Sequence, residues 1–103
     1  YSMAAGGPVV HPAVEGILVT PICPFTLTNR VLIVPATSRI RIRLGEKAAD
    51  IVATFDGQQG MEIGPADTIL IEKSRFPLNL IKLPGHNYFD ILKAKLRWSG
   101  GRI

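Results

Sequence analysis

Apolar residues come in short runs, each cut off by proline, glycine or charge. Ile17–Thr20 (ILVT) is one, ended by Pro21-Ile22-Cys23-Pro24. Val31–Val34 is another, ended by Pro35. Such runs, rich in β-branched residues and bounded by turn formers, predict buried strands. Residues 38–44 (SRIRIRL) alternate strictly, with Arg39, Arg41 and Arg43 on one face and Ile40, Ile42 and Leu44 on the other, the pattern of a half-buried strand. Ile51–Asp56 (IVATFD) predicts a strand, Gly57–Gly60 (GQQG) a hairpin loop and Met61–Ile63 the return strand. After the turn at Gly64-Pro65-Ala66-Asp67, TILIEK and then Leu78–Leu83 (LNLIKL) predict two more strands.

The period changes near the C-terminus. Phe89, Leu92 and Leu96 fall on one helical stripe, flanked by Tyr88 and Ile91. Asn87 is a natural N-cap and Asp90 suits the positive end of the helix dipole, while Lys93, Lys95 and Arg97 cluster at the other end. At the opposite terminus, residues 1–8 (YSMAAGGP) predict the tail of a short helix stopped by Gly6-Gly7-Pro8. The expected class is mainly β, with a short N-terminal helix remnant and one C-terminal helix.

Composition sharpens this. The chain has 103 residues and a mass of 11.2 kDa, which allows one domain. An apolar fraction of 47% against 19% charged excludes intrinsic disorder. Val, Ile and Thr make up about a quarter of the residues, which favours strands. A chain of this size buries only about 60–68% of its unfolded surface, so a partner domain or subunit is expected to complete the core. With one cysteine, Cys23, no internal disulfide forms, which suits a reducing, cytoplasmic setting. No apolar run approaches the ~18 residues of a membrane span, and no signal peptide is visible. The chain opens on Tyr1 rather than Met, so it is expected to start inside a longer protein. The net charge of +4 mildly favours anionic ligands.

Familiar catalytic motifs are absent: there is no GxGxxG, P-loop, CxxC or HExxH. His11 and His86 are the only histidines, and one cysteine cannot build a structural zinc site. Ser2, His86 and Asp56 form a triad only on paper, with no nucleophile elbow behind it. Three segments carry more. Ala4-Ala5-Gly6-Gly7-Pro8 lets backbone approach a ligand closely, or simply caps a helix. Asp56-Gly57-Gln58-Gln59-Gly60 presents a carboxylate and amides suited to ribose hydroxyls, or is an ordinary Asp-Gly turn. The Arg39/Arg41/Arg43 face is either a phosphate surface or a solvated or inter-subunit strand face, and lacks the aromatics of a nucleic-acid platform. Cys23 between two prolines reads as a small packed hydrophobe.

In order along the chain, Tyr1-Ser2-Met3-Ala4-Ala5-Gly6-Gly7-Pro8, Thr20-Pro21-Ile22-Cys23-Pro24, Phe55-Asp56-Gly57-Gln58 and the closing Tyr88-Phe89-Asp90-Ile91-Leu92…Lys95-Leu96-Arg97-Trp98 resemble the C-terminal domain of the bacterial NAD kinase family. The resemblance covers essentially the whole chain. It implies a β-rich NAD-binding domain spanning residues 1–103, with the family's Gly-Gly-Asp-Gly domain absent. The implied reaction moves a phosphoryl group from ATP or polyphosphate to the 2′-hydroxyl of the adenosine ribose of NAD, giving NADP, with a divalent metal (Mg²⁺) assisting. Tyr1, Ser2, Met3 and Ala4 are the implied contacts near the adenine, with Asp56 near the ribose and Gln58 beside it. Cys23 and Phe25 would border the nicotinamide end across a subunit boundary. Ala4 replaces a frequent Ser and Phe25 a frequent His. No catalytic residue is expected within these residues, because the aspartate that activates the 2′-hydroxyl and the Asn-Glu pair belong upstream. Expected partners are NAD, ATP, the protein's own N-terminal domain and further copies in a dimer or tetramer, with neither nucleic acid nor membrane. A related lipid-kinase-superfamily domain and a non-enzymatic β-domain binding an anionic partner through its arginine face are the alternatives.

Overall fold

Three two-stranded antiparallel ribbons and one helix make up the computed structural model, which describes residues 1–98. Strand β1 (Gly16–Val19) pairs with β2 (Leu32–Pro35) in the register Gly16↔Pro35 to Val19↔Leu32. Pro35 has no N–H to donate and sits at the strand's last position, where that costs least. Strand β3 (Ile40–Arg43) pairs with β6 (Thr68–Ile71), and the hairpin of β4 (Ile51–Phe55) and β5 (Gln59–Ile63) is nested between them in sequence.

The alternation in 38–44 is realised as expected. Ile40, Ile42 and Leu44 are half-buried while Arg39, Arg41 and Arg43 are exposed, and Ile40 and Ile42 face Ile71 and Ile69 across the ladder. At the turn after β5, the Asp67 carboxylate accepts the Gly64 N–H at 2.8 Å and the Asp67 N–H donates to the Gly64 carbonyl at 3.0 Å. The segment before β1 is tied to β2 by the Ala36 N–H donating to the Glu15 carbonyl (3.2 Å) and to the end of β6 by Lys73 Nζ–Glu15 Oε1 (3.0 Å).

Helix α1 (Tyr88–Leu96) starts and stops as its sequence dictates. The Asn87 side chain accepts the Phe89 N–H at 2.8 Å, and Asp90 lies in the first turn. Arg97 turns into the left-handed region (φ 56°), and the Trp98 N–H bonds the Lys93 carbonyl at 3.3 Å, a Schellman ending. The helix docks through its first residues: the His11 ring lies 4.9 Å from Tyr88, edge-on, and 5.4 Å from Phe89.

Three expectations need correction. Leu78–Leu83 forms no strand. A strand needs a neighbour for its ladder, and the six observed strands pair only with one another. Pro77 and Pro84 bracket the segment, and its side chains stand clear, Leu78 at 86% and Ile81 at 97% exposure. The N-terminal segment is a single helical turn over residues 1–6 rather than a length of helix, closed by Ala5 N–H to Tyr1 carbonyl (3.1 Å) and stopped at Gly6 (φ 91°). The loop of the β4–β5 hairpin is also tighter than predicted, with Asp56, Gly57 and Gln58 alone between Phe55 and Gln59.

The ribbons do not close a core by themselves. Ala36, at 9% exposure, is the only buried residue among those described, and none is fully buried. The chain exposes 9646 Å², where a folded monomer of its mass exposes roughly 5,700 Å². Its radius of gyration is 17.5 Å, against about 13 Å for a domain of this length.

Candidate functional site

The N-terminal turn is built on backbone that only small residues permit. The Ser2 carbonyl accepts N–H bonds from Ala5 (3.1 Å) and Gly7 (2.7 Å), which folds the chain back on itself. A Cβ at Gly7 would lie 2.7 Å from that carbonyl oxygen, so no side chain fits there. The two glycines therefore act differently: Gly6 supplies a positive φ and Gly7 supplies room.

This turn meets two distant segments. With Pro21, Ile22, Cys23 and Pro24, the residues Tyr1, Ala4 and Ala5 line an open groove of about 430 Å³. Half-buried behind it, the Ser2 hydroxyl lies 2.6 Å from the Thr20 hydroxyl, joining the turn to the end of β1. On its other side Tyr1 reaches the β4–β5 hairpin, its hydroxyl oxygen 3.0 Å from where a Cβ of Gly57 would stand. The hairpin itself has positive φ at Asp56 (52°) and Gly57 (70°), and the Gln58 N–H donates to the Phe55 carbonyl at 3.1 Å. This is the primed turn that suits a twisted hairpin and favours Asp-Gly.

These segments, apart by more than fifty positions between Tyr1 and Gly57, coincide with a known domain. Residues 1–83 match the ATP-NAD kinase C-terminal domain. The chain belongs to that family. It is 55% identical over its full length to an NAD kinase of Desulfatibacillum aliphaticivorans, covering 36% of that protein. It is 50% identical over 95% of its length to an NAD kinase of Syntrophobacter fumaroxidans, covering 35%, and 44% identical over 96% to one of Magnetococcus marinus, covering 33%. The chain thus spans about a third of the length of the curated relatives it matches.

Within this NAD kinase domain the residues named from the sequence take distinct places. Tyr1 and Ala4 line the groove, and Ser2 supports it through Thr20. Met3 is exposed and does not line the groove. Asp56 and Gln58 flank Gly57 on the exposed hairpin tip, and among the described residues neither side chain makes a hydrogen bond within the fold. Cys23 lines the groove from an exposed position with φ 48°, and Phe25 beyond it is fully exposed. Sequence reasoning names Thr20 and Gly57 within the resembling segments but gives neither a role of its own in the site. A hydroxyl at a strand end before proline is a faint signal, and the Tyr1–Gly57 approach has no local signal at all.

Among the described residues no three His, Cys, Asp or Glu side chains converge to hold a metal ion. No helix among the described residues is long and apolar enough to cross a membrane.

Proposed function

We propose that this domain supplies the NAD-binding wall of an NAD kinase, whose full-length form phosphorylates the 2′-hydroxyl of the adenosine ribose of NAD with ATP or polyphosphate, giving NADP. One observation carries the reading: the Tyr1 turn and the Pro21–Pro24 segment line one groove, and the β4–β5 hairpin approaches Tyr1 from its other side at Gly57. Each brings suitable chemistry. The Tyr1 ring, 93% exposed, is free to pack on a flat heterocycle. The ionised Asp56 carboxylate is acceptor-only and matches ribose hydroxyls, while the Gln58 amide both donates and accepts. Ser2 and Met3 stand beside Tyr1 on the same turn, and Ala4 leaves the groove open where a larger side chain would fill it.

Phosphoryl transfer needs positioned phosphates, a metal ion and an oriented nucleophile. These belong to the remaining two thirds of the protein, including an N-terminal domain. Assembly follows from exposed area. About 4,000 Å² is exposed beyond the folded expectation, and a groove of about 660 Å³ lined by Leu78, Ile81, Leu83, Tyr88 and Ile91 is open. The N-terminal domain and further copies in a dimer or tetramer account for that surface. A cytoplasmic setting fits the free thiol of Cys23.

The test is to incubate the full-length protein with ATP, magnesium and NAD and to measure NADP with an enzyme specific for it. NADP should accumulate with the full-length protein and stay at the blank level with the 103-residue chain alone. No NADP from the full-length protein overturns the reading, and turnover by the isolated chain overturns the division of labour.

A further inference from the structure

Thr20 follows the last residue of β1 and precedes Pro21. Its Oγ1 lies 2.6 Å from Ser2 Oγ across eighteen positions of sequence, in a half-buried contact. The bonded residues adjoin the groove's two walls. Ser2 is joined to Tyr1, and Thr20 is joined to Pro21, and both neighbours line the groove. The contact therefore ties the two walls together next to Tyr1 and Pro21. Ser2 is also gripped from behind, since its carbonyl accepts the Gly7 and Ala5 N–H groups and Gly7 has no room for a side chain.

We infer that Thr20 is a positioning residue for the dinucleotide site: its hydroxyl anchors Ser2 and so sets the spacing and direction of the N-terminal turn against the Pro21–Pro24 wall. The inference rests on the reading of the groove as the NAD site. A hydroxyl has one donor and two acceptor positions. Once bound to Thr20, the Ser2 hydroxyl keeps only part of that capacity for a ligand, in a direction the pair fixes. Without Thr20 the Ser2 hydroxyl rotates freely and the turn loses its one side-chain tether to β1 among the described residues.

The experiment uses the full-length kinase with Thr20→Val, Thr20→Ser, Ser2→Ala and the Ser2→Ala/Thr20→Val double variant. Valine keeps the branched shape and removes the hydroxyl; serine keeps the hydroxyl. Thr20→Val should raise KM for NAD about fivefold, the factor matching a neutral hydrogen bond of ~1 kcal/mol. KM for ATP and the thermal midpoint should stay near wild type. Thr20→Ser should restore KM for NAD. In the Ser2→Ala background, Thr20→Val should add little, because the shared bond is already gone. An unchanged KM for NAD in Thr20→Val overturns the inference. So does failure of Thr20→Ser to rescue, full additivity in the double variant, or a loss of kcat and thermal midpoint in which KM for NAD and for ATP rise alike, which is the mark of a purely structural residue. Wild-type protein that does not convert NAD overturns the reading of the groove and this assignment together, whereas normal wild-type turnover beside an indifferent Thr20→Val removes this assignment alone.

Discussion

Asp56 sits where two roles meet, and two substitutions separate them. It is the first central residue of the β4–β5 turn with φ 52°, a conformation that Asn, Asp and Gly tolerate and Ala does not. Its carboxylate is exposed and makes no hydrogen bond within the described fold, so the fold makes no use of its charge. Asp56→Asn keeps the turn and removes the charge. If the carboxylate accepts from ribose hydroxyls, that bond is worth ~1.5–3 kcal/mol. The asparagine carbonyl still accepts, so the expected loss in kcat/KM for NAD falls at the low end, about tenfold. Asp56→Ala should lose at least as much and also carry the left-handed penalty of ~1–2 kcal/mol, seen as a lowered thermal midpoint. Steady-state kinetics with NAD varied, beside thermal unfolding of the same full-length preparations, resolve the pair. Wild-type kinetics in Asp56→Asn together with a lowered midpoint in Asp56→Ala would refute the ligand role and leave Asp56 as a turn residue alone.

The excess exposure predicts that the isolated 103-residue chain associates or loses its fold; sedimentation at micromolar concentration should show dimers or larger species. A monomer with a cooperative transition and a scattering radius near 13 Å rather than 17.5 Å would contradict this. Gly7→Ala in the full-length protein should destabilise by ~1–3 kcal/mol through contact with fixed backbone and weaken NAD binding. Gly45→Ala, with nothing within 4 Å of its Cβ, should do neither, and equal behaviour of the two by calorimetry and NAD titration would remove the steric account of the Gly-Gly pair.

Local pattern made much of this fold legible. The strict alternation around Ile40–Arg43, the N-cap at Asn87 and the Asp-Gly turn are each decided by residues within a few positions, and each appears as expected. Leu78–Leu83 shows where that logic stops. Its composition is that of a strand, but a strand also needs a partner ladder, and none is supplied by the described chain. The site divides in the same way. The turn at Gly6-Gly7 and the hairpin at Asp56-Gly57 are legible singly, while their meeting through Tyr1 is a tertiary fact. The residue types of Asp56–Gly60 suit ribose hydroxyls but favour an ordinary hairpin turn, and it is the family resemblance that singles out Asp56 and Gln58.

The backbone around the groove links binding to assembly. Of seven positive-φ residues among those described, Gly6, Cys23, Asp56 and Gly57 lie in the groove's segments or on the hairpin that touches Tyr1. Gly6 and Gly57 adopt this conformation freely and Asp56 tolerates it within an Asp-Gly turn, whereas at Cys23 it costs on the order of 1–3 kcal/mol. Strain of that size persists only where surrounding packing over-determines the conformation. This chain supplies little such packing, since among the described residues only Ala36 is buried. On the proposed reading, the restraint on Cys23 comes from what covers the exposed apolar surface, the rest of the protein or another copy. Linkage makes the dependence reciprocal: a dinucleotide that binds only the strained groove must also favour the assembled state by the same free energy. On the proposed reading, groove geometry and quaternary packing form one equilibrium, and substitutions in the uncovered apolar face should reach NAD affinity without touching the ligand.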